Sequence, residues 1–449
     1  MAADARASAL EILRRVETGD AYASVLLRTS GTSGRDMALT TELVYGVLRR
    51  RMWLDHLIGS FSSRPLKEID FALLLILRLA VYQILFLDRV PDHAAVNEAV
   101  RSARTVARGG RTGAAFVNGL LRTMIRKRSR IPAPPDPARA KDPAAALALS
   151  GSHPEWLVRR WVGRFGLEET QRLIAAANAP ASQALRANRL RTTSSDLAAR
   201  LSAEGVRTRP SAVLPDFLIV EEGSPQRTRA FDEGLFYIQD EAAGLVVAMV
   251  GATARMTILD ACAAPGGKAT ALAEMLGAEG LVVAGDRHPA RLRLLTQNAK
   301  RLGVRCAIVA ADMAAAPPLR PEARFDAVLV DAPCSGTGVI RRHPELRYRL
   351  SPEDLPRFTA IQSSLLARGA ALVRPGGALV YAVCSLEPEE GSERIQALLA
   401  SHPEFRPEDP AVGAGNSALC ASDPAGPALV TLPHRDAMDG FFAMCLRHL

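Results

Sequence analysis

The sequence predicts a multidomain chain: an all-α front end, a small α+β module, and a C-terminal α/β domain of the doubly wound, Rossmann-like kind. Three observations predict it. At 449 residues the chain is long for one ordinary domain. Up to about residue 130 its apolar residues recur at helical spacing, with no strand-like run between them. From about residue 235 short apolar runs alternate with amphipathic segments, which implies a mostly parallel sheet covered on both faces.

Taken in order, Ala9, Leu10, Ile12, Leu13 and Val16 form one apolar stripe, and Leu43, Val44, Val47, Leu48 and Met52 form another. Phe71 to Leu87 is apolar nearly all round, with Arg78 at its middle. It is short for a membrane span and reads as the central helix of a bundle. Five prolines fall between Ile131 and Pro143, so residues 131–150 read as a linker. Pro154 to Ala177 reads as one helix with Trp156, Leu157, Trp161 and Phe165 on its apolar face. The α+β module follows within 151–234, with strands at Ala184–Leu190 and Phe217–Val220 around a helix at Ser194–Ala203. Phe236-Tyr237-Ile238 reads as a strand that opens the last domain, 235–449. There strands are predicted at Met256–Leu259, Leu281–Ala284, Ala307–Ala310, Ala327–Val330 and Ala378–Ala382, with last strands at Val430–Leu432 and Phe441–Leu446.

The net charge is +9, and all of it sits in residues 1–150, where 23 Lys and Arg face 14 Asp and Glu. Such an excess suits a polyanionic partner, and a solvated helical face is the plainer alternative. Arg126-Lys127-Arg128 with Arg130 and Arg49-Arg50-Arg51 are the densest clusters and the candidate phosphate contacts. Six cysteines at wide, irregular spacing do not resemble a disulfide framework, and no Cys-x-x-Cys or His/Cys cluster suggests a metal. With no apolar signal core at the N-terminus, a cytoplasmic location is expected.

Four predicted strands end in or just before an aspartate: Asp260, Asp286, Asp312 and Asp331. The carboxyl ends of parallel strands are where such sheets bind ligands. After the first strand comes Asp260-Ala-Cys-Ala-Ala-Pro-Gly-Gly-Lys268, whose small residues Cys262, Ala263, Ala264, Pro265, Gly266 and Gly267 let backbone approach a ligand at a helix N-terminus. It is no P-loop, because Cys262 stands where the first Gly belongs and Ala269 follows Lys268; a Gly-x-Gly-x-x-Gly fingerprint is absent too. Asp286, with Arg287 beside it, suits ribose hydroxyls and Asp312 an adenine amino group. An adenosine pocket without a diphosphate site fits S-adenosylmethionine. The fourth strand ends in Asp331-Ala-Pro-Cys334, and a second cysteine, Cys384, follows the fifth. Asp331 and Cys334 could instead be a strand-ending acid and an ordinary packed thiol.

The stretches at 260–268, 331–338 and Tyr-Ala-Val-Cys-Ser at 381–385 resemble the RNA cytosine-5 methyltransferases. The basic helical front end resembles the NusB-like domain of the bacterial Sun/Fmu-type members, which methylate a cytosine of small-subunit ribosomal RNA. Arg341-Arg342-His343-Pro344-Glu345 and Asp439-Gly440-Phe441-Phe442 look like that subgroup as well. Val383 departs from the family, which usually has Thr there. The resemblance implies a class I methyltransferase domain and S-adenosylmethionine bound by residues 262–268, Asp286, Arg287, Asp312 and Asp331. It implies Cys384 as nucleophile, Cys334 in product release, Asp331 on the base edge, and Lys268 as a helper. Arg341, Arg342 and Arg126–Arg128 would hold ribosomal RNA. A monomer without metal or membrane attachment is expected. DNA cytosine-5 methyltransferases take their nucleophile from a Pro-Cys after the fourth strand, so the reverse assignment of the thiols stays open. A non-catalytic RNA-binding assembly or antitermination factor with a vestigial methyltransferase fold is the competing reading. A nicotinamide oxidoreductase is disfavoured by the missing glycine fingerprint.

Overall fold

The computed structural model describes residues 4–19, 21–106, 110–315, 318–320, 322–410 and 419–449. The chain divides into two compact units, one of residues 1–179 with Ile340–Arg349, the other of residues 180–339 with 350–449.

The first unit is helical. Helices run over Ala5–Thr18, Ala23–Arg28, Gly34–Phe61, Phe71–Phe86, Asp92–Val106 and Gly110–Arg126. The apolar helix Phe71–Phe86 starts where the Asp70 carboxylate accepts from the amides of Ala72 and Leu73. It packs closely on Gly34–Phe61 because Gly46 has no Cβ: one there would lie 2.0 Å from the Tyr82 ring. Arg78 is buried in it, and its charge is met by Asp55 at 2.6 Å and Glu17 at 2.8 Å.

Two expectations are corrected in this unit. The stretch Pro154–Ala177 is two helices, Glu155–Phe165 and Leu167–Asn178, because Gly166 takes a φ of 80° between them. The proline-rich stretch is not linker up to residue 150: a helix occupies Pro143–Gly151, with the Asp142 carboxylate capping it and Pro143 in its first turn. The segment Ile340–Arg349, which follows the Cys334 loop in sequence, folds with these helices. Arg347 is fully buried there and donates to Asn178 Oδ1 at 2.7 Å and to the Ala177 carbonyl. Arg349 donates to the carbonyls of Val16 and Ala21, and Glu345 accepts from the Ala23 amide.

In the second unit β1 (Ala184–Ala187), β2 (Arg207–Pro210), β3 (Phe217–Glu222) and β4 (Phe236–Ile238) form an antiparallel sheet in the order β2-β3-β1-β4. The strand at Phe236–Ile238, read as opening the last domain, thus belongs to the small sheet, with Leu185 opposite Ile238.

The larger sheet has nine strands: β5 (Thr257–Asp260), β6 (Leu281–Asp286), β7 (Ala307–Ala310), β8 (Phe325–Asp331), β9 (Val373–Val383), β10 (Phe405–Glu408), β11 (Cys420–Asp423), β12 (Gly426–Thr431) and β13 (Phe441–His448). The order is β11-β12-β13-β9-β8-β5-β6-β7, with β10 also on β13. Strands β5 to β9 are parallel and the remaining pairings antiparallel, so the sheet is mixed, with its parallel part at the site. Alternate residues of β8 face opposite ways: Ala327 and Leu329 enter one apolar core, Val328 and Val330 the other. Burial on both faces is why these strands read as continuous apolar runs. The order of connection reverses between β5 and β8, which opens a crevice at their carboxyl ends.

Candidate active site

The loop after β5 leads from Asp260 into the helix Gly267–Leu276. Gly266 there has a φ of 107°, and a Cβ on it would press on Leu295 at 3.0 Å. Asp260 is buried; its Oδ1 accepts from the Cys262 amide at 3.3 Å, while Oδ2 has no hydrogen-bond partner. Burial, then the neighbouring Asp331 charge, pushes its pKa up to about 7 against the pull of Lys268. Burial also raises the Cys262 thiol well above its ordinary value, so this cysteine is no thiolate in the cluster.

At the end of β6, Asp286 is buried and accepts from the amides of His288 at 2.8 Å and Ala264 at 3.3 Å, which ties the β6 end to the β5 loop. Arg287 beside it is exposed. Asp312 is exposed and caps a turn by accepting from the Ala314 amide.

Lys268 Nζ donates to Asp331 Oδ2 at 2.6 Å and lies 5.3 Å from the centre of the Phe441 ring. Burial works against the Lys268 charge, but the Asp331 carboxylate outweighs it and the pKa is raised, so the ammonium persists. Asp331 pairs with Ala382 across β8 and β9, so the next few residues of both strands emerge side by side. Cys334 and Cys384 accordingly stand with their sulfurs 3.3 Å apart. The hydrogen bond to Cys384, then burial, hold the Cys334 thiol well above the usual range. The structure thus brings Lys268, Asp331, Cys334 and Cys384 together at the strand ends.

Arg341 and Arg342 lie in the segment Ile340–Arg349, which folds with the helical unit, and Arg341 is buried. The expectation that Arg341 offers a surface contact to an RNA backbone is corrected on that ground. Arg126, Lys127 and Arg128 are exposed at the end of Gly110–Arg126. Arg128 is already engaged, with Asp92 at 3.1 Å and the Ile84 carbonyl at 2.9 Å. Sequence reasoning missed Glu390, a fully buried carboxylate that reaches both cysteine loops. Its only sequence signal is its place six residues after Cys384.

The residues suit S-adenosylmethionine. An orphaned carboxylate oxygen on Asp260, with Asp286 and Asp331 nearby, favours a ligand that carries an ammonium and a sulfonium and disfavours phosphates. The Gly266–Gly267 turn would admit it, Asp286 would hold its ribose, and Asp260 would face its amino group. Among the described residues no group of three or more His, Cys, Asp or Glu stands placed to hold a metal. Among the described residues no helix is long and apolar enough to cross a membrane.

A five-strand parallel core with an antiparallel β13 on β9 and acids at the strand ends defines a Rossmann-like methyltransferase. The comparisons narrow the class. The family model of 16S rRNA methyltransferase RsmB/F matches residues 248–447, that of the NusB family 3–126, and that of an RsmF/B-like ferredoxin-like domain 153–226. A probable ribosomal RNA small subunit methyltransferase B of Bacillus subtilis is 36% identical, covering 98% of this chain and 97% of that protein. One from Synechocystis is 35% identical over 99% of both. The solved structure of PH0851 superposes with a TM-score of 0.83 at 26% identity, over 98% of this chain and 97% of that one. NSun6 from Pyrococcus horikoshii, 21% identical with a TM-score of 0.59 over 65% of this chain and 97% of its own, shares the fold. The chain belongs to the RsmB/F family of 16S ribosomal RNA methyltransferases, and its methyl donor is S-adenosylmethionine.

Proposed function

We propose that this enzyme methylates carbon 5 of a cytosine in small-subunit ribosomal RNA, with Cys384 as nucleophile and Cys334 completing the reaction. The observation that carries the proposal is the pair of thiols 3.3 Å apart at the ends of β8 and β9, beside the Lys268–Asp331 pair. Carbon 5 of cytosine is a weak nucleophile, and adding a thiolate to carbon 6 makes it enamine-like. S-adenosylmethionine supplies an electrophilic methyl group.

The Cys384 thiol gives up its proton as its sulfur bonds to carbon 6, and that proton ends at nitrogen 3 of the base, where the Asp331 carboxylate accepts a hydrogen bond from it. Lys268 keeps the Asp331 oxygen fixed at 2.6 Å and supplies positive charge in a buried site. Once carbon 5 carries the methyl group, its proton must leave before the Cys384 sulfur can be expelled. Cys334 takes that proton. Its high pKa arises first from the hydrogen bond to Cys384, with the Cys384 charge adding to it. Both are lost when that sulfur is bonded to carbon, while burial and the Glu390 charge still act on the thiol; Cys334 therefore gives its own proton to water before its sulfur takes the one from carbon 5. A duplex cytosine cannot reach these groups, so the target is unpaired or flipped out. The exposed cations Arg126, Lys127 and Arg130 suit the RNA backbone.

The test is to incubate Cys384→Ala and Cys334→Ala with methyl donor and small-subunit RNA and look for a protein–RNA adduct on a denaturing gel. Cys384→Ala is expected to form none and to lose about 10⁴-fold or more in turnover. Cys334→Ala is expected to accumulate one. The opposite pattern would exchange the roles of the two thiols.

A further inference from the structure

Glu390 precedes the helix Ser392–Ser401, where an acid is ordinarily a solvated first-turn residue. It is instead fully buried. Its Oε1 accepts from the Ser335 amide at 2.8 Å and from Gln362 Nε2 at 3.0 Å. Its Oε2 accepts from the Ser335 hydroxyl and, at 2.5 Å, from the Ser385 hydroxyl. Ser335 follows Cys334 and Ser385 follows Cys384, so one carboxylate grips the residue next to each thiol.

The surrounding bonds extend that grip. Gln362 also donates to the Pro333 carbonyl, one residue before Cys334. The Thr337 hydroxyl accepts from the Leu386 amide at 2.8 Å, and the Gly338 amide donates to the Cys384 carbonyl at 3.0 Å. Tyr381 on β9 donates to the Glu390 carbonyl at 2.6 Å, which fixes the Glu390 backbone to the strand that leads into Cys384. Neither sulfur is bonded to Glu390 in any of these contacts. Without Glu390 the two loops would keep neutral cross-links, from Leu386 to Thr337, from Gly338 to Cys384 and among the Ser335, Thr337 and Ser385 hydroxyls, but would lose the carboxylate that gathers both.

We propose that Glu390 is a positioning residue that locks the two cysteine loops together and so sets the separation of Cys334 and Cys384. The idea rests on the reading that both thiols serve one reaction, but its geometric content can be measured without RNA or methyl donor. Removing the side chain takes the shared acceptor from the Ser335 amide, Gln362 and two hydroxyls, and leaves the loops joined by the neutral bonds alone, so that they can shift relative to each other. A displacement of about 1 Å is enough to cost on the order of 10²-fold in a reaction between held groups.

The probe is diamide, which takes two electrons and two protons from a pair of adjacent thiols, is reduced to the hydrazine, and leaves a disulfide. Peptide mass mapping is expected to find Cys334 joined to Cys384 in the wild type. In Glu390→Ala the rate of that linkage is expected to fall about tenfold or more. Glu390→Gln is expected to stay near the wild-type rate, since its carbonyl can accept from Ser335 and Gln362 while its amide faces the two hydroxyls. Should Glu390→Ala fail to fold, the Ser335→Ala/Ser385→Ala pair removes both Oε2 contacts, together with the Ser385 hydroxyl's bonds to Thr337 and the Glu387 amide, and is expected to slow the linkage as well. Turnover in Glu390→Ala should fall about 10²-fold with KM for RNA unchanged. A folded Glu390→Ala that links its cysteines as fast as the wild type would overturn the proposal, whatever its activity. Failure of the Cys384 adduct test would sink the catalytic reading and leave the linkage result standing.

Discussion

In the helical unit Arg78 is buried, and its guanidinium is shared between Asp55 and Glu17 in four hydrogen bonds of 2.6 to 2.9 Å. At the strand ends of the other unit Lys268 is half-buried and has one carboxylate partner, Asp331, and nearby Asp260, which is buried, keeps one oxygen without any. Both places put charge out of water, which is costly unless it is paired. At Arg78 that cost is met by two carboxylates, and the network ties three helices together. The strand ends leave it partly unmet, so their groups have shifted proton affinities and a use for a ligand. Unmet interactions mark the place where a fold gives up stability for chemistry.

That contrast can be broken at its satisfied end first. Arg78→Met removes the cation and leaves Asp55 and Glu17 facing a nonpolar chain, with Glu17 almost wholly buried. A loss of about 3 to 5 kcal/mol in unfolding free energy is expected. Chemical denaturation should show it as a lower midpoint with an unchanged slope. If stability holds, the network is not the structural member its geometry describes.

At the other end, Lys268→Met should divide stability from activity. The partner left behind, Asp331, is more than a quarter exposed and can draw on solvent, so little loss of stability is expected. Turnover should fall about 10²-fold, the usual cost of removing one charged group from a buried reacting site. Equal damage to folding and turnover would mean that Lys268 is structural in the way Arg78 is.

The fold was legible where physics is periodic. Phe71 to Leu87 reads as a central helix because its apolar residues run all round, and the helix is found at Phe71–Phe86. Strands β5, β6 and β8 are found because burial on both faces gives short apolar runs that end at acids, whereas the edge strand β7 is largely exposed and β9 leads into Cys384. Three features hid from the sequence for distinct reasons. Phe236–Ile238 joins the small sheet by pairing with β1, a partner some 50 residues earlier that no local pattern announces. Arg341 looks like a surface cation in one dimension, yet it lies in a segment that folds with distant helices. Glu390 looks like an ordinary helix-start acid, and only the meeting of two loops buries it. For the site, the acids and thiols were readable one by one, whereas the 3.3 Å approach of two sulfurs follows from the β8–β9 register.

Asp260 offers the finest way to sharpen the contrast, because its proton reports the unmet interaction directly. Its pKa rises from an ordinary 3.8 to about 7 in the folded chain. Below pH 3.8 the carboxyl is protonated whether folded or unfolded, and its contribution to stability is at its greatest. Between 3.8 and 7 the unfolded chain releases the proton while the folded chain keeps it, so stability falls as pH rises; above about 7 the loss is complete. This is the reverse of a salt-bridged acid, whose contribution is lost as pH falls. Asp260→Asn cannot ionise and should lack that slope. The ionised acid costs about 4 kcal/mol at high pH, while a buried amide with an unmet group costs about 1 to 3 kcal/mol. The variant is therefore expected to be about 2 kcal/mol more stable than the wild type at pH 8 and about 1 to 2 kcal/mol less stable near pH 4. Urea titrations at the two pH values check this. An advantage of the same size at both would mean that burial of charge at Asp260 is not what the strand end gives up for its ligand.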